Sequence, residues 1–320
     1  MALLEVKNLR KKYGDFAAVD GIDFSVEAGE IFGLLGPNGA GKTTTINMLI
    51  GLARVTAGEI RLGDVDCVAR VKDAQRRIGV VADESNLYDE MNGFDNLIFC
   101  GSLYGMEKRR RERRARELLE VFGLSEAGNK PFKAYSKGMK RKLTIAAGLL
   151  HEPEILFLDE PTTGLDVESV RQIRTLIWEL NRTGVTVFLT THHIEEAEKL
   201  CHRVAFIVKG KLVRMGMVEA LLQEGQGQHV LEFRVEGKAP SLQQELTQML
   251  PVQVDMPDEK TVRVLTSERV ELMPFMSFFS KRGVMVYEAK WIKPSLEDVF
   301  VNITGIGLAQ MRKEKEGAQR

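Results

Sequence analysis

Gly36-Pro37-Asn38-Gly39-Ala40-Gly41-Lys42-Thr43 constrains this chain more than any other stretch. An apolar run, Glu30–Gly36, leads in. A helix-like pattern, Thr43–Gly51, leads out and ends on glycine, where helices often stop. The three glycines let such a loop fold tightly and aim backbone N–H groups inward. The helix adds its positive N-terminal end, and Lys42 adds a full charge. That combination accepts a row of phosphates. The candidate cradle is Gly36, Pro37, Asn38, Gly39, Ala40, Gly41, Lys42, Thr43 and Thr44. Lys42 is assigned to the β and γ phosphates, and the Thr43 hydroxyl to Mg²⁺. Strand, loop and helix in that order predict an α/β fold with a P-loop core.

A second apolar run, Ile155–Leu158, ends in Asp159 and Glu160. So apolar a strand is buried, which puts Asp159 at the carboxyl edge of the sheet, where ligands bind in such folds. Asp159 is the expected Mg²⁺ partner through water, since Mg²⁺ keeps several waters. Glu160 is placed to orient or deprotonate an attacking water. Two acids after a strand are ordinary on their own; the phosphate loop upstream gives them chemistry. A third run, Val185–Thr190, leads to Thr191-His192-His193, and Val204–Lys209 follows with a hairpin turn at Gly210.

Bulk properties exclude several classes. The 320 residues suit one large domain and a small one. Net charge is zero, so no global field points to nucleic acid. The basic run Lys108–Arg116 is balanced by Glu107, Glu112, Glu117 and Glu120 at helical spacing, with no aromatics interleaved. It reads as a solvated helix face rather than a nucleic-acid contact, with contact to lipid headgroups the lesser reading. Cys67, Cys100 and Cys201 are scattered without a CxxC spacing, which suits a reducing cytoplasm. No apolar run approaches the roughly 20 residues of a membrane span. The start, Met1–Lys7, reads as too short and too soon charged for a signal peptide. Work at a membrane would need spans from another chain.

Three segments follow from the patterning. Residues 1–224 form the nucleotide domain, with half-buried strands at Leu3–Leu9 and Ala17–Val26 and a helical subdomain over about 85–150. Gly225-Gln226-Gly227-Gln228 reads as a linker. Residues 229–290 alternate as strand His229–Val235, helix Leu242–Leu250, strands Val252–Met256 and Val262–Thr266, helix Arg269–Lys281 and strand Val284–Lys290. That order predicts a small α+β domain of split-βαβ, ferredoxin-like type. Residues 291–320 are expected to be a helix and a charged tail that frays. The small domain has no phosphate loop and no clustered His, Cys or carboxylates. It is expected to be separable, so that truncation near Gly225 leaves nucleotide binding intact.

Tyr135-Ser136-Lys137-Gly138-Met139, before the helix-like Lys140–Leu150, says which machine this is. It resembles the signature motif of ABC-type ATPases, and the other motifs stand in that family's order over residues 3 to 222. The family's commonest form has glycine in place of Lys137 and glutamine in place of Met139. The resemblance implies an ATPase that uses Mg²⁺ and works as a dimer sandwiching ATP. Ser136 and Gly138 would then reach a phosphate of the partner copy's ATP. It implies adenine stacking for Tyr13, γ-phosphate contact for His192 rather than His193, and a dimer contact for Asp166 in Pro161–Asp166. The tail motif Pro294–Phe300, before Ile303-Thr304-Gly305, looks like that of drug- and antibiotic-export-type members. Those members drive a separate membrane permease from the cytoplasmic face of the membrane, with no span of their own and no nucleic acid.

One position departs from the family. Where most members have a loop glutamine after a strand like Arg77–Val81, alignment puts Asp83. It is a candidate Mg²⁺ ligand, and its loop leads to the helices at Asn86–Tyr104 that would meet the permease. Two other readings compete with this one. A soluble ABC ATPase acting on ribosomes or DNA would usually carry two cassettes or a long coiled coil, and neither is present here. A GTPase would need an Asp after Asn129-Lys130, where the chain has Pro131 and Phe132.

Overall fold

The computed structural model describes residues 2–224, 229–236, 245–247, 252–266, 270–292 and 295–305. The chain divides into two compact units: Met1–Val218 together with the chain from Phe300 onward, and Glu219–Val299.

The first unit opens with an antiparallel hairpin of β1 (Ala2–Tyr13) and β2 (Phe16–Glu27). Leu4, Val6 and Leu9 turn inward while Lys7 and Asn8 face water. The tight turn at Gly14 leaves Tyr13 opposite Phe16. Every residue of β3 (Ile31–Leu35) is buried, as expected of a parallel-sheet strand covered on both faces. It feeds the glycine loop and α1 (Lys42–Leu49). Next come β4 (Ala57–Leu62), β5 (Val65–Asp66), α2 (Val71–Arg76) and β6 (Ile78–Val81). The antiparallel sheet runs β2-β1-β4-β5.

The helical subdomain contains α3 (Gly93–Leu103), α4 (Lys108–Val121) and α5 (Lys137–Leu149). Asn92 caps α3 by accepting from the Asp95 N–H at 2.7 Å. Only Ala115, Leu118 and Leu119 of α4 are buried. Arg109, Arg110, Arg113 and Arg116 are exposed, whereas Arg111 and Arg114 are half-buried with their Nε atoms shielded from water. Arg113 and Arg114 pair with Glu117 at 3.6 and 3.1 Å.

The rest of this unit is β7 (Ile155–Asp159), α6 (Val167–Arg182), β8 (Thr186–Thr191), α7 (Ile194–Leu200), β9 (Arg203–Val208), β10 (Lys211–Met217) and the start of α8 (Val218–Glu224). The six-stranded sheet has the order β10-β9-β3-β8-β7-β6. Its strands are parallel except β10, which returns from β9 through Gly210. Because β3, β8 and β7 are neighbours, their carboxyl ends lie side by side. Leu35 pairs with Thr191, and Asp159 with Thr190. A ladder of rings holds these strands in place: Phe24–Phe32 at 5.5 Å, Phe32–Phe188 at 5.6 Å and Phe157–Phe188 at 5.3 Å. Ile46, Met48 and Leu49 of α1 join the same core.

In the second unit, β11 (His229–Val235), β12 (Gln253–Asp258), β13 (Thr261–Thr266) and β14 (Val286–Ile292) form an antiparallel sheet ordered β12-β13-β11-β14. The first and third strands are central, as in a split-βαβ domain. Leu231 and Phe233 pack against Phe275, Phe278 and Phe279 of α9 (Met273–Lys281). This helix begins later than the sequence pattern suggests, with proline in its first turn, where the missing N–H costs nothing. Of the helix expected at Leu242–Leu250, residues 245–247 are helical and the remainder lies outside the described residues. So do the expected linker Gly225–Gln228, Pro294 and the charged tail. The chain passes back into the first unit within α10 (Leu296–Thr304). There Phe300 is fully buried, edge-on to Phe206 of β9 at 5.3 Å. No helix among the described residues is long and apolar enough to cross a membrane.

Candidate nucleotide site

The glycine loop is pinned at both ends by the core beneath it. Gly39 and Gly41 have φ of 76° and 109°, in the left-handed region that a side chain would strain. Gly36 passes so close to β9 that a Cβ would sit 2.2 Å from the Ile207 carbonyl. The Gly210 N–H donates to the Ala40 carbonyl at 2.9 Å, tying the loop to the β9–β10 turn. The N-terminus of α1 has no side-chain cap and no acid in its first turn. Its N–H groups therefore face the loop without a side-chain acceptor of their own, which is the arrangement that binds anions. Lys42 is buried beside it, donating to the carbonyls of Gly36 and Pro37 at 2.7 and 3.2 Å.

A cleft of about 390 Å³ opens above this loop. Lys42, Thr43 and Thr44 line it from α1, and Asn38 from the loop. Asp159 and Glu160 enter from the end of β7, His192 from the end of β8, and Asp83 from the segment after β6. Tyr13 and Phe16 form its aromatic wall, both largely exposed, with the Lys11 ammonium 4.7 Å from the Tyr13 ring centre. Gly36, Pro37 and Ala40 shape the loop without lining the cleft. Phe16 was missed in the sequence. The signal was present: a tight turn at Gly14 must set it across from Tyr13.

The two neighbouring acids are pushed in opposite directions. Burial raises the proton affinity of Asp159, and the charge of Glu160 adds to it. Bonds from Thr190 and Thr43 and the charge of Lys42 offset this only in part. Burial also works against ionised Glu160, but the hydrogen bond from His192 and the charge of Lys42 outweigh it, so its pKa falls. The Glu160 carboxylate lies 3.6 Å from Lys42 Nζ and 2.9 Å from His192 Nδ1. Its backbone is left-handed, with φ 48°. That is a strained setting for a glutamate, and the Thr190 carbonyl helps to hold it by accepting from the Glu160 N–H at 3.1 Å. His193, by contrast, starts α7 and does not line the cleft.

The donor set fits Mg²⁺ bound with a triphosphate. Among the described residues, no group of three His, Cys, Asp or Glu could hold a metal alone. A hydroxyl, Thr43, beside a carboxylate, Asp159, suits an ion that takes one or two protein ligands plus phosphates and waters.

Ser136, Gly138 and Asp166 are not in this cleft. They gather at the N-termini of α5 and α6. Ser136 caps α5, accepting from the Met139 N–H at 3.2 Å. Asp166 caps α6, accepting from the Ser169 N–H at 2.9 Å and its hydroxyl at 2.7 Å. Gly138 lies against Ser169, whose hydroxyl would stand 2.5 Å from any added Cβ. One chain thus carries two separate groups of candidate residues.

A parallel sheet with a phosphate loop after β3 and an acid pair after β7 defines a P-loop nucleoside triphosphatase. The ABC transporter family pattern matches residues 19–163. The linearmycin resistance ATP-binding protein of Bacillus subtilis (strain 168) is 34% identical over 313 residues, spanning 95% of this chain and 98% of that protein. A Nod factor export ATP-binding protein I of Paraburkholderia xenovorans is 38% identical over 309 residues, spanning 95% and 97%. Among solved structures, a dimeric post-hydrolysis state of the ATP-binding cassette MJ0796 bound to ADP and Pi is similar. It has a TM-score of 0.61 and 26% identity, and covers 67% of this chain and 98% of that one. The chain belongs to the ATP-binding proteins of the ABC transporter family. It is a Mg²⁺-dependent, ATP-hydrolysing subunit that works with a separate permease. Nothing in these similarities supports a ribosome- or DNA-directed ATPase.

Proposed function

We propose that two copies of this chain close face to face on two ATP molecules, on the cytoplasmic face of the membrane, and drive export through their permease. The carrying observation is the separation of the two residue groups. Lys42, Thr43, Asp159, Glu160 and His192 share one cleft, while Ser136, Gly138 and Asp166 lie outside it. A second copy related by two-fold symmetry would bring the second group to the first.

In this reading Tyr13, with Phe16 beside it, stacks on the adenine. The loop N–H groups and Lys42 hold the phosphates, and Thr43 and Asp159 hold the metal. The bound Mg·ATP supplies the phosphoryl group and a cation that neutralises charge on it. Glu160 accepts a proton from the attacking water, a task suited to a carboxylate kept ionised by its neighbours. His192 bonds Glu160 and would meet the γ-phosphate. Asp83, which lines the same cleft, would favour the cation by its charge but cannot donate while ionised, as glutamine can. Export as the direction is supported by relatives named for drug resistance and Nod factor export.

Mixing two inactive copies tests the shared sites. A Lys42→Ala copy with a Ser136→Arg copy makes a mixed dimer with one intact site and one doubly damaged site. Each variant alone should be nearly inactive. An equal mixture should release phosphate faster than either variant alone, up to about a quarter of wild type when the intact site turns over without its partner, since half the dimers are mixed and each has one good site of two. Coupled sites would lower that figure, so ATP-driven association of the two copies is followed by light scattering as well, and a mixture that neither gains activity nor associates would overturn the two-copy reading.

A further inference from the structure

We propose that Arg141 couples the two nucleotide sites of the dimer, by binding the loop that lines one site to the helix that serves the other. This rests on the two-copy reading above. Arg141 sits on α5, the helix capped by Ser136. Its guanidinium does not touch the cleft. It is only 8% exposed and donates to two successive carbonyls, Ala82 at 2.7 Å and Asp83 at 2.6 Å. The Asp83 carboxylate lies 3.8 Å away. Burial lowers the proton affinity of the guanidinium, and Asp83 and Asp159 work against that, so the group stays a cation.

These carbonyls stand where β6 ends and the chain leaves for the helical subdomain. The same face of α5 holds the segment at two further places. Thr144 meets the Ser85 hydroxyl at 3.0 Å, and Lys140 donates to Asp89 at 3.1 Å. Of these three α5 side chains, Arg141 is the one that binds Asp83, the residue that lines the cleft. A planar fork on two adjacent carbonyls fixes orientation as well as distance, which a lysine cannot do. A buried cation stripped of its acceptors is strongly unfavourable. Loop and helix therefore shift together: a displacement of Asp83 in one copy's site moves α5 and the Ser136 end that completes the other. Arg141 is a positioning residue, and its signature is cooperativity rather than affinity.

The experiment uses the full-length protein. Phosphate release is measured against ATP concentration for wild type, Arg141→Met, Arg141→Lys and Ser85→Ala. ATP-driven dimer formation is followed by light scattering for the same substitutions in a Glu160→Gln background. The wild type should show a Hill coefficient approaching about 2, the number of coupled sites. Arg141→Met should bring it to about 1 and flatten the dimerisation curve equally. Binding of a fluorescent ATP analogue to the separated copies should change less than about twofold. Arg141→Lys, able to serve one carbonyl, should fall between. Ser85→Ala, at an exposed position where misfolding is not a concern, should lower the coefficient slightly in the same direction. If Arg141→Met does not fold, the lysine and Ser85 variants carry the test. Unchanged cooperativity in the folded variants of a cooperative wild type overturns the coupling alone. A wild type that neither dimerises with ATP nor shows cooperativity overturns the two-copy reading, and the coupling with it.

Discussion

Glu160 occupies a left-handed backbone position, between Lys42 and His192 and next to an acid whose proton affinity is raised. A carboxylate so placed can take a proton from water, and an amide of the same shape cannot. Glu160→Gln should keep nucleotide binding, because the loop contacts remain. It should lose turnover by at least ~10²-fold and gather as ATP-held dimers, seen by phosphate release and light scattering. Near-normal release would remove Glu160 from the role of base. Asp159 and Glu160 were legible in the sequence because they follow an apolar run that reads as a central strand, whereas His192 was singled out from His193 only by the resemblance to the ABC family. The hydrogen bond from Thr190 to Asp159 was not, since it depends on strand order. Phe16 could be found only through the turn at Gly14 that sets it opposite Tyr13, since an exposed aromatic on an edge strand is otherwise ordinary.

The elements that place these residues differ in how much change they tolerate. The loop after β3 runs against β9, and Gly36→Ala would press a Cβ into the Ile207 carbonyl, which moves only if the strand does. Gly138→Ala meets the Ser169 hydroxyl, a side chain that can rotate away. The first substitution should abolish binding of a fluorescent ATP analogue and lower the melting temperature. The second should leave both near wild type and reduce turnover. Equal effects on binding would mean that the loop and the α5 cap do not belong to different sites. The central strands β3, β7 and β8 could be read from continuous apolar runs. The stretch containing β4, β5 and α2 is hard to read in the sequence, because few of its residues are buried: Ile60 and Leu62 in β4, Val65 in β5 and Ala74 in α2. Short elements in polar sequence leave little periodicity to detect.

Over the whole molecule, the composition change after residue 224 and the βαββαβ order were enough to expect a second unit with its own sheet. What no local pattern carries is the return of the chain at Phe300, because the partner of that ring, Phe206, is far away in sequence. This alters the expectation that a truncation near Gly225 is harmless. A stop there also removes a buried ring from the nucleotide unit, and losing a buried phenylalanine side chain typically costs ~3–5 kcal/mol. The stopped protein should therefore melt lower than one in which Val218 is joined to Phe300 by a short Gly/Ser bridge. Both should still bind nucleotide if the small unit takes no part in the chemistry. Equal melting temperatures, measured by differential scanning fluorimetry, would show that the Phe300 contact carries no stability.

The return at Phe300 makes the small unit an insertion rather than an appendage. Both of its ends are anchored in the same host, so it is a module carried within a parent, and its natural unit of exchange is an internal cassette. Grafting the corresponding segment of a relative should succeed when the cuts fall before Glu219 and before Phe300, leaving the host's closing ring in its own seat. A graft that swaps everything to the C-terminus brings in a foreign ring against Phe206, and such chimeras should express as insoluble protein more often. Counting soluble chimeras of the two kinds would show which boundary the fold respects.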